Sequence, residues 1–228
     1  MRSNRCPARP LLRRRSETWL IAAMTDDPSH VPRRGGPPPS LMVLYATRDG
    51  QSRRIALRIC ERLAAHGTAV APRDLADGAP AAEDLAGAAV VVLVAAVRYG
   101  RHLAEARRFL ARWRTLAPAP ALALASVNLT ARKPDKSSAD SNPYLRKLIA
   151  QTASRPAVAA AFAGRLDYPR YGWLDRQLIR LIMWLTGGPT DPAACIDYTA
   201  WNAVDAFAAR VAELHAHGSG AAADRVPT

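Results

Sequence analysis

Short runs of apolar residues separated by amphipathic stretches constrain this chain more than any other feature. Leu41–Ala46, Val90–Ala95 and Ala121–Ser126 are each six residues long and almost free of polar side chains. That is too short for a helix buried on all sides, and it is the length of a strand covered on both faces. Between the runs the period changes. Ile55, Ile59 and Leu63 fall at helical spacing within 52–66, with Arg53, Arg54, Arg58 and Arg62 opposite, and Gly67 is placed to end that helix. Leu103, Ala106, Phe109, Leu110 and Trp113 make a second stripe, and Trp201, Val204, Phe207, Val211 and Leu214 a closing one. Asn142-Pro143 supplies a cap residue and a first-turn proline for a helix carrying Leu145, Leu148 and Ile149. Thr68–Arg73 is expected at a sheet edge, because Pro72 cannot donate to a ladder on both sides. Ala157–Gly164 is expected as a fourth central strand. Strands alternating with helices predict a doubly wound parallel sheet.

Composition narrows the classes. At 49% hydrophobic and 22% charged residues the 228-residue chain is globular in character, not collagenous, coiled-coil or wholly disordered. Cys6, Cys60 and Cys195 are scattered and match no metal spacing, which argues against a disulfide scaffold or a zinc site and for a reducing compartment. No run of about 18 uncharged apolar residues is present to span a bilayer. The formal charge of +13 calls for an anionic partner or surface. Residues 1–40 stand apart. They hold Arg2, Arg5, Arg9, Arg13, Arg14, Arg15, Arg33 and Arg34, few acids, and the run Gly35-Gly36-Pro37-Pro38-Pro39. They are expected to be a disordered basic leader, with Met24 a candidate for the true start; the apolar patch Trp19–Met24 is too short for a secretory signal, while a transit peptide is conceivable. Residues 215–228 are expected to form a loose tail.

In a doubly wound sheet, ligands sit beyond the carboxyl ends of the strands. Three loops therefore matter. Thr47-Arg48-Asp49-Gly50-Gln51-Ser52 joins the first strand to a helix N-terminus, where free N–H groups and the positive end of the helix dipole favour a phosphate. Thr47 and Ser52 add hydroxyls, and Gly50 permits a tight turn. Neither a Walker lysine nor a G-x-G-x-x-G is present. An ordinary Asp-Gly turn with a serine cap has the same local sequence. Val97-Arg98-Tyr99-Gly100-Arg101-His102 offers an aromatic plane that could flank a flat ring, and Asn128–Lys136 is polar and basic. Each of these two could equally be a solvated turn. Together the three loops share one edge of the sheet.

The strand followed by Thr47–Ser52 is similar to the phosphate loop of flavodoxin-like FMN proteins. The wider set resembles the menaquinone-dependent protoporphyrinogen IX dehydrogenase family. The segments are Ala46–Gln51, Val97-Arg98-Tyr99-Gly100, Ser126-Val127-Asn128-Leu129, Ala131-Arg132-Lys133-Pro134, Tyr168–Tyr171, Leu181–Met183 and Gly187-Gly188. The resemblance covers about 41–214. It implies a flavodoxin-like five-stranded parallel sheet in the order 2-1-3-4-5, with a helical insertion at 168–192 before the last helix. It implies FMN held by Thr47, Arg48, Asp49, Gly50, Gln51 and Ser52 at the phosphate, and by Val97, Arg98, Tyr99, Gly100, Ser126, Val127, Asn128 and Leu129 at the ring. The expected reaction is oxidation of protoporphyrinogen IX to protoporphyrin IX, six electrons in two-electron steps, in haem synthesis. Electrons would pass to menaquinone or ubiquinone. Arg98, Arg132 and Arg170 are candidates for the substrate carboxylates, since arginine suits bidentate contacts, although for any single arginine surface solvation is the plainer reading. No catalytic base and no metal ligand are assigned.

The insertion contains Tyr171–Leu185, on which Leu174, Leu178, Leu181, Ile182 and Leu185 share a helical face and Arg176 and Arg180 lie off it. Such a segment suits an interfacial helix with its arginines toward lipid phosphates, and equally a helix packed on the sheet or in a dimer. The first reading places the protein peripherally at the cytoplasmic face of the bacterial inner membrane. Alternatives are a flavodoxin-like NAD(P)H:quinone reductase, for which no nicotinamide fingerprint is visible, and an electron-transfer flavodoxin, which the basic charge disfavours. A nucleic-acid binder has only the charge in its favour; no specific nucleic-acid motif appears. Oligomeric state is not legible.

Overall fold

The computed structural model describes residues 40–152 and 154–223. The expected leader lies outside the described residues, except that Ser40 opens the first strand. A parallel sheet is formed by β1 (Ser40–Ala46), β2 (Pro72–Asp74), β3 (Ala88–Arg98), β5 (Ala121–Val127) and β6 (Val158–Phe162), hydrogen-bonded in the order β2-β1-β3-β5-β6. The two-residue β4 (Arg101–His102) is an antiparallel hairpin partner of β3. Setting it aside, the five parallel strands follow the order 2-1-3-4-5 expected from the sequence. The edge strand holds only three residues and begins at Pro72, where the proline does not interrupt a central ladder.

Both faces of the sheet are covered, which is why the central strands read as continuous apolar runs. Alternate residues divide between two cores. Val43, Val92, Ala125 and Phe162 face α1 (Gln51–Ala65) and α6 (Trp201–Ala223), meeting Ile55, Ile59, Leu63, Val204 and Phe207. Leu44, Leu93 and Leu124 face α2 (Ala82–Ala86), α3 (Ala104–Trp113) and α4 (Pro143–Ile149), meeting Leu85, Phe109, Trp113 and Leu145. Asn142 caps α4 as its residue type predicts: its Oδ1 accepts from the backbone N–H of Tyr144 at 3.1 Å and Leu145 at 3.0 Å. Asp205 on α6 takes two bonds from Arg58 (2.8 and 3.0 Å) and one from Arg62 (2.7 Å), which fastens α6 to α1 and holds its carboxyl well below the usual range. The closing helix runs past Leu214 to Ala223, so residues 215–223, expected to be loose, continue α6. Alanine-rich sequence favours helix there despite Gly218 and Gly220.

The insertion is a small satellite unit. β7 (Arg165–Asp167) and β8 (Cys195–Asp197) pair antiparallel, and between them lies α5 (Trp173–Leu185). Leu166, Tyr168, Tyr171 and Met183 form its core. Among the described residues no helix is long and apolar enough to cross a membrane.

Candidate functional site

The carboxyl ends of β1, β3 and β5 open on a cleft of about 550 Å³, within the range of small-molecule sites. The three loops singled out from the sequence bound it on one side, and α5 bounds it on the other.

The first loop is built as an anion cradle. Gly50 has φ +86°, and a Cβ there would meet no atom within 4 Å, so backbone conformation alone calls for glycine. Thr47 Oγ1 accepts from Gly50 N at 3.0 Å, which fixes the turn and leaves the threonine proton to donate. The first N–H groups of α1 have no intrahelical acceptor. Ser52 is fully buried, yet its Oγ has no hydrogen-bond partner among the described residues. A buried hydroxyl without a partner beside a helix N-terminus is the donor that a bound phosphate would satisfy. Gln51 lines the cleft, but its side chain is committed elsewhere. Its Nε2 donates to Asp197 Oδ1 (3.1 Å) and Thr199 Oγ1 (2.7 Å), and its Oε1 accepts from Arg54 (3.0 Å). Arg48 and Gly50 do not line the cleft, and Arg48 points out toward Glu105 at 3.8 Å.

The second loop is the β3–β4 turn. Tyr99 (φ +50°) and Gly100 (φ +75°) occupy its two left-handed positions, which leaves the tyrosine ring exposed at the rim. Arg98 reaches across the mouth of the cleft. Its Nη1 donates to Asp49 Oδ2 at 3.1 Å, its Nη2 donates to Asp175 on α5, and its guanidinium lies 5.2 Å from the Tyr99 ring centre. Burial opposes its charge, but Tyr99, Asp49 and Asp175 together more than offset that, and its pKa is raised. The Tyr99 hydroxyl also donates to Asp175.

The third loop is held from behind. Ser126 and His102 do not line the cleft. His102 Nε2 lies 2.9 Å from Ser126 Oγ, and Asn128 Nδ2 donates to the same oxygen at 3.0 Å. Asn128 and Asn142 exchange two bonds at 3.2 and 3.3 Å. Asn128 Oδ1 also accepts from Ala131 N at 3.0 Å, which shapes the turn after β5. Burial lowers the His102 pKa to about 4, Arg107 adding to the effect, so the imidazole is neutral at physiological pH. Val127, Asn128 and Leu129 do line the cleft, with Thr130, which belongs to the same expected loop but was not among the expected cofactor contacts.

Of the three arginines proposed for substrate, the structure brings Arg98 to the cleft and leaves two away from it. Arg132 donates to Leu129 O (3.1 Å) and to Thr186 Oγ1 (2.7 Å), so it ties the third loop to the end of α5. Arg170 is exposed on a single turn before α5.

The fourth wall is α5, for which packing on the sheet was one of the open readings, although its contribution to the cleft was not. Asp175, Leu178, Ile179 and Ile182 of α5, with Tyr171 before it, line the cleft. A helical wheel indicates which residues share a face, not that one edge of that face turns toward a sheet 80 residues distant in sequence. The outer part of the helix stays bare: Trp173, Leu174, Trp184 and Leu185 are each about 70% exposed. Arg176 and Arg180, expected to reach outward, turn inward instead. Arg176 donates to Tyr168 O and Tyr171 O at 3.2 Å, and Arg180 to Thr190 O at 3.1 Å. The guanidinium groups thus bond to carbonyls of the flanking turns, Tyr168 O also accepting from the backbone N–H of Tyr171 at 3.1 Å.

Comparison with known proteins accords with this geometry. The family model described as a flavodoxin domain matches residues 42–193. Protoporphyrinogen IX dehydrogenase [quinone] of Escherichia coli (strain K12) is 37% identical over 177 residues, covering 76% of this chain and 94% of that one. The protein of the same name from Leishmania major is 40% identical over 177 residues, covering 77% and 76%. The oxidised Flavodoxin 1 of Bacillus cereus superposes with a TM-score of 0.45 at 13% identity, covering 76% of this chain and 97% of that one.

Proposed function

The chain belongs to the flavodoxin-domain family and, within it, to the quinone-linked protoporphyrinogen IX dehydrogenases, and on that premise we propose that it uses FMN to oxidise protoporphyrinogen IX and passes the electrons to a membrane quinone. The observation that carries the reading is the partnerless Ser52 hydroxyl at the α1 N-terminus, in a cleft whose far wall is the apolar edge of α5. Thr47, Ser52 and the first N–H groups of α1 would hold the FMN phosphate. The ring would be held by Val97–Gly100 and Val127–Leu129, which follow the neighbouring strands β3 and β5 and both line the cleft. When bound, the flavin supplies a two-electron oxidant. The chain supplies the site around it: Leu178, Ile179 and Ile182 offer an apolar surface for a macrocycle, and Arg98 a cation for a carboxylate or for negative charge on the cofactor. No covalent nucleophile is needed.

The bare outer face of α5 is read as a lipid-docking surface. The +13 charge favours an anionic bilayer, and both quinone and tetrapyrrole are apolar enough to be exchanged there. On this reading the protein would sit peripherally on a membrane, at its cytoplasmic face.

The test is direct. Purified protein reconstituted with FMN should show a flavin spectrum. With protoporphyrinogen and a quinone, it should then give porphyrin fluorescence well above autoxidation. Failure to take up flavin, or no gain over autoxidation, overturns the reading, and rapid consumption of NAD(P)H with quinone would assign a reductase instead.

A further inference from the structure

The sequence offers no proton acceptor, and the structure supplies one. We propose that Asp175, carried by the insertion helix, accepts the proton released at each two-electron oxidation, an assignment that rests on the functional reading above.

Among the described residues, the cleft is lined by two carboxylates, Asp49 and Asp175. Asp49 belongs to the phosphate loop. Asp175 stands on the opposite wall, one turn before Leu178 and Ile179, where an apolar macrocycle would lie. Its side chain is largely buried, whereas that of Asp49 is nearly half exposed. The other candidates are engaged or protonated. Tyr171 donates its hydroxyl to Arg165 O at 3.3 Å, and burial raises its pKa. His102 is enclosed behind the wall. Asp175 accepts from Arg98 at Oδ2 and from Tyr99 at Oδ1, and each carboxylate oxygen retains a second lone pair. The groups bonded to it are thus Arg98 and Tyr99 from the β3–β4 turn, with Asp49 beyond Arg98 and Tyr171 elsewhere on the cleft lining.

The chemistry asks for such a group. A porphyrinogen methylene between two pyrroles loses its C–H bond together with the electron pair, the oxidant being the flavin. The carbon skeleton is left positively charged across the two rings. That charge makes the adjacent pyrrole N–H acidic. Its N–H bond breaks, the pair remains on nitrogen to form C=N, and the proton goes to the Asp175 carboxylate; after three such steps the one remaining methylene loses a C–H proton and a ring nitrogen gains one, which completes the porphyrin. A carboxylate at this position both offsets the developing charge and takes the proton. The Tyr99 ring beside it is 65% exposed, so the proton has a short way to water.

The experiment mixes FMN-loaded protein with protoporphyrinogen without oxygen and follows the loss of oxidised-flavin absorbance in wild type, Asp175→Asn, Asp175→Glu and Asp175→Ala. Protoporphyrin binding is measured separately, on protein without flavin, by the porphyrin's own fluorescence. The proposal expects D175N to slow bleaching by about 100-fold or more, the scale of general base catalysis. It expects D175E to recover at least a tenth of the wild-type rate, and added formate to speed D175A in proportion to its concentration. Porphyrin binding should stay within threefold in all variants. A D175N rate within threefold of wild type overturns the proposal. So does porphyrin affinity that falls as far as the rate, since Asp175 would then hold the substrate or the helix. Wild-type protein that binds flavin but is not bleached overturns the functional reading instead.

Discussion

Ser52 and His102 are buried polar residues with opposite situations. The Ser52 hydroxyl is desolvated without a partner, a cost of about 1–3 kcal/mol while nothing occupies the cradle. Ser52→Ala is therefore expected to leave flavin-free protein as stable as wild type or more so, by up to about 1 kcal/mol in denaturant unfolding. The same change should weaken flavin binding about tenfold, the worth of one charge-assisted bond. His102 is satisfied, but only as neutral imidazole. In the unfolded chain it takes up a proton near its ordinary 6.5, and in the fold only near 4. The unfolded state holds more protons inside that window, so stability present above pH 6.5 is lost as the pH falls toward 4. The loss from this residue is about 3 kcal/mol. Unfolding free energies measured from pH 7 to 4 should show it, and His102→Asn should flatten that limb.

At the scale of elements, α5 is held in place by few contacts. Met183 is its one fully buried side chain. Around it stand the Arg176 and Arg180 bonds to carbonyls and the Arg132 link to Thr186. A helix with so little buried apolar surface opens more readily than the sheet. Gly188 packs against Met183 so closely that a Cβ would collide with its Sδ and Cε. Met183→Ala and Gly188→Ala should both loosen α5 while leaving the central strands intact. Limited proteolysis should cut within 173–185 at least tenfold faster in either variant, with the main thermal transition shifted little; a uniform loss of stability would show that α5 unfolds with the sheet. Much of this was invisible in the sequence. The three-residue strands Arg165–Asp167 and Cys195–Asp197 show no alternation long enough to read, and they pair across about thirty residues. The wheel found the apolar face of α5, but the direction of Arg176 and Arg180 depends on where the carbonyls of the neighbouring turns lie.

For the whole molecule, the parallel sheet was legible because both its faces are covered, so each central strand had to be an apolar run flanked by amphipathic helices. The rim of the cleft was legible for the same reason, since the loops must follow the strands. What the rim residues do was less so. Gln51 and Arg132 are of types that suit ligand contact, yet both hold protein to protein. On one side of the molecule the cleft, the exposed Tyr99 and the bare face of α5 are joined through Asp175. Vesicles are expected to meet the protein there. Replacing Leu174, Leu181 and Leu185 together by serine should abolish flotation with anionic liposomes while leaving the flavin spectrum unchanged; retained flotation would place the docking surface elsewhere. Neutral liposomes should bind wild type more weakly, because its charge is positive.

Gln51 opens the helix at the phosphate cradle and also grips Asp197 at the end of β8 and Thr199 just after it, with Arg54 bonded to the same aspartate. On the docking reading proposed above, a filled cradle would steady the exit of the insertion, and by reciprocity a docked insertion would tighten the grip on the flavin. Flavin-free protein is then expected to float less with anionic liposomes than the same protein loaded with flavin.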